Sequence, residues 1–175
     1  MGKDKADVLV HGRTMLDMVG DALRSAVGHV VLLGPDRPGW ECWPDSVHVH
    51  GPLAGVATLL NRMDATHALV VAVDHPFVRV ETLTALANSE NELPVVPVDD
   101  HGTRQVTCAL YPKTIAESAL EEAENRGSIQ SLLDRVSFTA ITPDLWQPWG
   151  EDERSWYSVD SPSALEEGLR RYQPQ

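Results

Sequence analysis

The chain has 175 residues, 42% of them hydrophobic and 23% charged, which suffices for the core of one globular domain spanning 1–175 and excludes a disordered or fibrous chain. A formal net charge of −12 disfavours non-specific attraction to nucleic-acid backbones and anionic membrane surfaces. No apolar run approaches the roughly 20 residues that a membrane-spanning helix needs.

Thr14 is placed to cap a helix in which Met15, Leu16, Val19, Leu23 and Val27 recur at helical spacing, and Gly28 stands where that helix would stop. HVVLLG (29–34) then reads as a short buried strand. An irregular Pro/Gly/Trp stretch leads to GPLAGVATLLNRM, where Pro52 lies near a helix start. HALVVAV (67–73) is a second buried strand, followed by a helix around 79–89, a strand PVVPV (94–98) and a strand near 106–110. Helices at about 112–126 and 128–136, a strand FTAI, a polar loop 143–154, a strand WYSV and a helix from about 162 complete the chain. Continuous apolar strands separated by amphipathic helices predict an α/β fold with an open, mainly parallel sheet covered by helices on both faces.

In such sheets, ligands bind beyond the carboxyl ends of the strands, which draws attention to Asp74 at the end of VVAVDHPFV. Position alone leaves two roles open for it, cap of a turn or helix, or ligand-binding acid. His48 and His50 would share a face of a strand, but two histidines without a third ligand read as ordinary loop side chains. Cys42 and Cys108 form no CxxC pair and have no basic neighbour to activate a thiolate, so both are expected to be structural. With no secretory leader ahead of them, a reducing cytoplasm is the expected setting.

Four stretches, in order, resemble the molybdenum cofactor guanylyltransferases. MGKDKA (1–6) is similar to the end of that family's glycine-rich nucleotide loop, GPLAG (51–55) to its helix-opening motif, VDHPFV (73–78) to its metal-binding strand end, and YSVDSPSAL (157–165) to its terminal motif. GTRQVTCALY (102–111) is similar to the stretch near the acceptor site.

The resemblance implies a Rossmann-like fold of the nucleotide-diphospho-sugar transferase type. It also implies transfer of GMP from GTP to molybdopterin with release of pyrophosphate. Charge that builds on the phosphates calls for Mg2+ and a lysine, and Mg2+ is held by one or two carboxylates plus substrate oxygens. By the same resemblance, Asp74 and Asp160 would bind the metal and Lys5 would neutralise the triphosphate. Gly51, Pro52, Leu53 and Gly55 would seat the nucleotide on backbone amides, and Asp45 would contact it.

The family's opening strand and its L-A-G-G-x-S-x-R loop have no counterpart here, since the chain opens at the methionine that follows that arginine. A sheet edge left exposed where that strand pairs is therefore expected. GPDR (34–37) stands where the family often has N-A-N-R, and Ser158 replaces the first asparagine of the terminal motif. Two alternatives follow from these departures: a related transferase using CTP or another phosphorylated acceptor, and a non-catalytic protein that binds nucleotide or pterin.

Overall fold

The computed structural model describes residues 4–44, 51–89 and 91–172. A 3-10 turn over Lys5–Asp7 precedes a small antiparallel pair, β1 (Leu9–Val10) and β2 (Arg13–Thr14). Helix α1 (Met15–Val27) starts as its sequence predicts: the Thr14 hydroxyl accepts the Asp17 N–H at 3.1 Å, and Gly28 closes the helix at φ +81°. Strands β3 (Leu32–Leu33) and β4 (Cys42–Trp43) pair in parallel, and α2 (Pro52–Arg62) follows with proline at its first turn.

The main sheet contains β5 (His67–Val71), β6 (Val95–Pro97), β7 (Cys108–Pro112) and β8 (Thr139–Ile141), in the order β5-β7-β6-β8. Helix α3 (Val80–Ala87) joins β5 to β6, while α4 (Ala116–Glu124) and α5 (Ile129–Arg135) join β7 to β8. A short α6 (Pro143–Trp146) and α7 (Pro162–Arg171) end the chain's regular structure.

The fold is α/β, with one feature beyond the sequence expectation. β7 runs antiparallel to both neighbours, β5 and β6, whereas β6 and β8 are parallel, so three strands share a direction and one opposes them. Side chains alternate across this sheet. Ala68, Val70, Val96, Ala109 and Tyr111 meet α2, α4 and α5 on one face, while Leu69, Val71, Val95, Cys108 and Leu110 meet α1 and α3 on the other. Both faces are thus covered, as the unbroken apolar strands imply.

Two sequence expectations are corrected. WYSV forms no strand: Arg154–Trp156 is a 3-10 turn that Tyr157 N–H closes on Arg154 C=O at 3.3 Å, and the residues after it reach the end of β5 through Val159 N–H to Asp74 C=O at 2.7 Å. The loop 143–154 is not wholly polar or irregular, because α6 inserts Trp146, 2% exposed, and anchors its indole N–H on Val98 C=O at 2.9 Å. Among the described residues β5 pairs only with β7, and all five of its residues are half-buried, while β6 and β7 are fully buried.

Candidate functional site

The carboxyl end of β5 carries the arrangement of greatest chemical interest. Past Ala72 the chain turns tightly, with His75 N–H to Ala72 C=O at 3.2 Å and Val78 N–H to His75 C=O at 3.2 Å. Asp74 sits in this turn with its side chain 21% exposed. It caps neither turn nor helix, since Arg79 precedes α3 and no side chain caps that helix. Instead the Asp74 Oδ2 accepts from Lys5 Nζ at 3.1 Å and from Ser158 Oγ at 3.0 Å.

Each partner is fixed from its own side. Lys5 begins the 3-10 turn that Asp4 caps by accepting the Ala6 N–H at 3.0 Å. The guanidinium of Arg37 bridges Asp4 and Asp7, the latter at 2.6 Å, so the turn is tied to the loop between β3 and β4. Burial of Ala6 closes its inner side. These contacts hold Lys5 across 69 residues of sequence from Asp74.

The Val159–Asp74 main-chain bond lays the terminal segment beside the β5 end. Burial alternates there: Ser158 exposed, Val159 buried, Asp160 exposed. An extended chain with that pattern puts Asp160 on the same side as Ser158, whose hydroxyl already reaches Asp74. The segment is held from below by Glu151, a carboxylate only 5% exposed. It accepts from the Thr82 hydroxyl, the Ser155 hydroxyl, Ser155 N–H at 3.2 Å and Asp152 N–H at 3.0 Å, while Ser155 Oγ accepts Arg79 N–H at 3.0 Å. This network pins the last loop to α3. Sequence reasoning missed it, because one acid in a polar stretch carries no periodic signal.

His75 lies beneath Asp74, 4% exposed, with Nε2 3.6 Å from Asp74 Oδ1, too long for a hydrogen bond. Burial holds its pKa below the ordinary histidine value, against the opposing pull of Asp74, and its Nδ1 has no partner among the described residues. It is a neutral buried ring packed under the site. Cys108 is fully buried and burial pushes its thiol up, while Cys42 Sγ accepts the Arg37 N–H at 3.3 Å.

At α2, Gly51 adopts φ +110°, a conformation that favours glycine, and the helix opens without a side-chain cap. Pro52 sits in the first turn, and Ala54 N–H returns to Gly51 C=O at 3.0 Å. Leu53 is 3% exposed and belongs to the core, so only its backbone is left to face a ligand; Gly55 is buried as well. Asp45, His48 and His50 lie outside the described residues.

Among the described residues, no three His, Cys, Asp or Glu side chains gather closely enough to hold a metal ion by themselves. Hard oxygen donors from one or two carboxylates fit Mg2+, which keeps waters and substrate oxygens in its remaining positions, better than a metal needing a full protein cage. Lys5 stands on Asp74 as its counter-ion, so a divalent ion on that oxygen would require the ammonium to move.

A family model described as "MobA-like NTP transferase domain" matches residues 1–140. The chain is 37% identical over 165 residues to a molybdenum cofactor guanylyltransferase from Xanthomonas euvesicatoria pv. vesicatoria, covering 83% of this chain and 85% of that protein. It is 36% identical over 78 residues to a probable molybdenum cofactor guanylyltransferase from Deinococcus radiodurans, covering 43% of this chain and 40% of that protein. The match therefore spans less than half the length of the Deinococcus relative. In fold, the chain is similar to the crystal structure of molybdopterin-guanine dinucleotide biosynthesis protein A from Archaeoglobus fulgidus, with a TM-score of 0.83 at 19% identity over 97% of this chain and 91% of that one.

Proposed function

Because the chain belongs to the family of MobA-like NTP transferase domains, we propose that it transfers GMP from GTP to a molybdopterin-type acceptor in the cytoplasm, with Mg2+ as its metal. The guanylyltransferase names of its relatives support this choice of substrates. The single observation that carries the assignment of residues is the Lys5–Asp74 pair, 3.1 Å apart at the carboxyl end of β5.

In the proposed reaction, a phosphate oxygen of the acceptor attacks the α-phosphorus of GTP. The bond from that phosphorus to the bridging oxygen breaks, and pyrophosphate leaves with the electron pair. Asp74 and Asp160 would hold Mg2+, which when bound supplies positive charge to the phosphate oxygens. Lys5, displaced from Asp74, would place its ammonium on the triphosphate as a compact point charge. Ser158 keeps the Asp74 carboxylate oriented through its 3.0 Å hydrogen bond. The start of α2 offers the Gly51 and Leu53 N–H groups and the positive end of the helix dipole to an anion or base edge, while the Ala54 and Gly55 N–H groups return to Gly51 C=O.

The assay is pyrophosphate release with each of the four nucleoside triphosphates in the presence of Mg2+ and molybdopterin. A strong preference for GTP is expected. A guanine preference below a few-fold removes the GTP assignment, since a hydrogen-bonding base pocket discriminates much more strongly than that.

A further inference from the structure

The stretch DKAD (4–7) sets Lys5 between two acids of its own turn, yet the ammonium pairs with Asp74, 69 residues away. An ammonium is a point charge on a flexible stem, so carboxylates beside it in sequence ordinarily compete for it. Here both neighbours are already taken. Arg37 Nη1 donates to Asp7 Oδ1 at 2.6 Å and Nη2 donates to Asp4 Oδ2, so the fork of one guanidinium spans the two carboxylates. Asp4 keeps its other oxygen on the Ala6 N–H at 3.0 Å.

The loop that carries Arg37 is built to hold it still. Arg37-Pro38-Gly39-Trp40 closes a turn, Trp40 N–H to Arg37 C=O at 3.2 Å, with Gly39 at φ +83°. Proline in second place and a positive-φ glycine in third are what a type II turn requires. Arg37 N–H is fixed as well, on Cys42 Sγ at 3.3 Å. Trp40 then docks the turn on α1: its ring lies so close over Gly20 that a Cβ there would collide with it, and the Arg24 guanidinium stands 3.8 Å from the ring centroid. With its main chain tied on both sides and its side chain 19% exposed, Arg37 has a set position relative to α1.

We infer that Arg37 is a positioning residue for the nucleotidyl transfer: by claiming Asp4 and Asp7 it fixes the Lys5 turn and leaves the Lys5 ammonium to Asp74 and then to the triphosphate. This rests on the proposed contact between Lys5 and the phosphates. Without the guanidinium, the two carboxylates repel each other across the turn and draw the ammonium back to its own neighbours, away from the carboxyl end of β5. Arg37 thus acts through Lys5.

The test uses the full chain as Arg37→Gln, Arg37→Lys, Lys5→Gln and the double variant Arg37→Gln/Lys5→Gln. Amide hydrogen exchange is measured without nucleotide at Asp7 and Val8, whose N–H groups close the turn on the Asp4 and Lys5 carbonyls. In Arg37→Gln these amides are expected to exchange at least about tenfold faster than in the wild type, with exchange in β7 unchanged. Arg37→Lys should fall between, since one ammonium holds one carboxylate at a time. From pyrophosphate release, kcat/KM for GTP should drop about 10- to 100-fold in Arg37→Gln, the scale of a group displaced by about an ångström. On the Lys5→Gln background the same substitution should cost less than about twofold, because the group it positions is already gone. A merely structural role costs the same on both backgrounds. Unchanged exchange in Arg37→Gln overturns the hold on the turn, and losses that multiply in the double variant overturn the route through Lys5. A wild-type chain that releases no pyrophosphate defeats the enzymatic reading and with it the catalytic meaning of Arg37, whereas exchange still decides whether Arg37 fixes the turn.

Discussion

Removing the Glu151 carboxylate should be among the most destabilising single changes available outside the apolar core. Its oxygens are the acceptors for two hydroxyls whose residues are 0% exposed, Thr82 and Ser155, and for the Ser155 and Asp152 amides. In Glu151→Ala the two hydroxyls and the Ser155 amide lose their acceptor in a dry environment, while exposed Asp152 recovers water. A buried donor left unpaired costs about 1–3 kcal/mol, and hydroxyl rotation favours the low end, so three such groups give a loss of about 4 kcal/mol. With a urea slope of about 2 kcal/mol/M, the unfolding midpoint falls by about 2 M. Glu151→Gln keeps one oxygen and should lose less than half as much. In a double-mutant cycle, Thr82→Val on the Glu151→Ala background should cost about 1 kcal/mol less than in the parent, because its donor is already orphaned. A loss below about 1 kcal/mol for Glu151→Ala, or additive effects in the cycle, would refute the account of Glu151 as the acceptor that fastens the last loop to α3.

Asp74→Asn keeps the shape of the turn but removes the charge; pyrophosphate release should fall at least about 100-fold with little change in melting temperature, and full activity in this variant excludes a metal role. Chelation of divalent ions should stop the wild-type reaction and added Mg2+ restore it, as the same assay will read. His75, held below its ordinary pKa by burial, resists a proton that the unfolded chain takes up as pH falls through about 6.5. Stability should therefore be complete above that pH and decline below it, and His75→Phe should flatten the difference in urea midpoint between pH 7 and pH 5.5; an unchanged slope assigns the effect elsewhere. Cys108, fully buried with its thiol pushed up, should resist alkylation in the native protein at pH 8 and react on unfolding, which peptide mass mapping reads directly.

The layered α/β plan is legible in the chain because its cues are local. Thr14 and Gly28 bracket α1 as capping chemistry requires, and the largely apolar runs read as strands at 67–73 and 94–98 contain β5 and β6, covered on both faces. The reversal of β7 carries a weaker cue: the 98–107 stretch has no helical pattern, and parallel strands need a longer crossover. WYSV misled because its apolar residues suit a strand, while tertiary packing buries Trp156 and Val159 without a strand partner. Asp74 is visible as an acid ending a strand, but its link to Lys5 and Ser158 spans 69 and 84 residues and only folding reveals it. Glu151 left no trace, since its burial depends wholly on donors brought from α3 and the loop after it.

Running one strand backwards has a topographic effect. Where β5 and β6 leave the sheet, β7 enters it: Val71 lies opposite Cys108, and Gln105 N–H reaches Pro97 C=O at 2.8 Å. The approach to β7 therefore crowns the same rim as Asp74, and its tip, residues 100–103, is exposed. Evolution or an engineer can lengthen or recolour that tip to suit a different substrate while every core side chain keeps its seat.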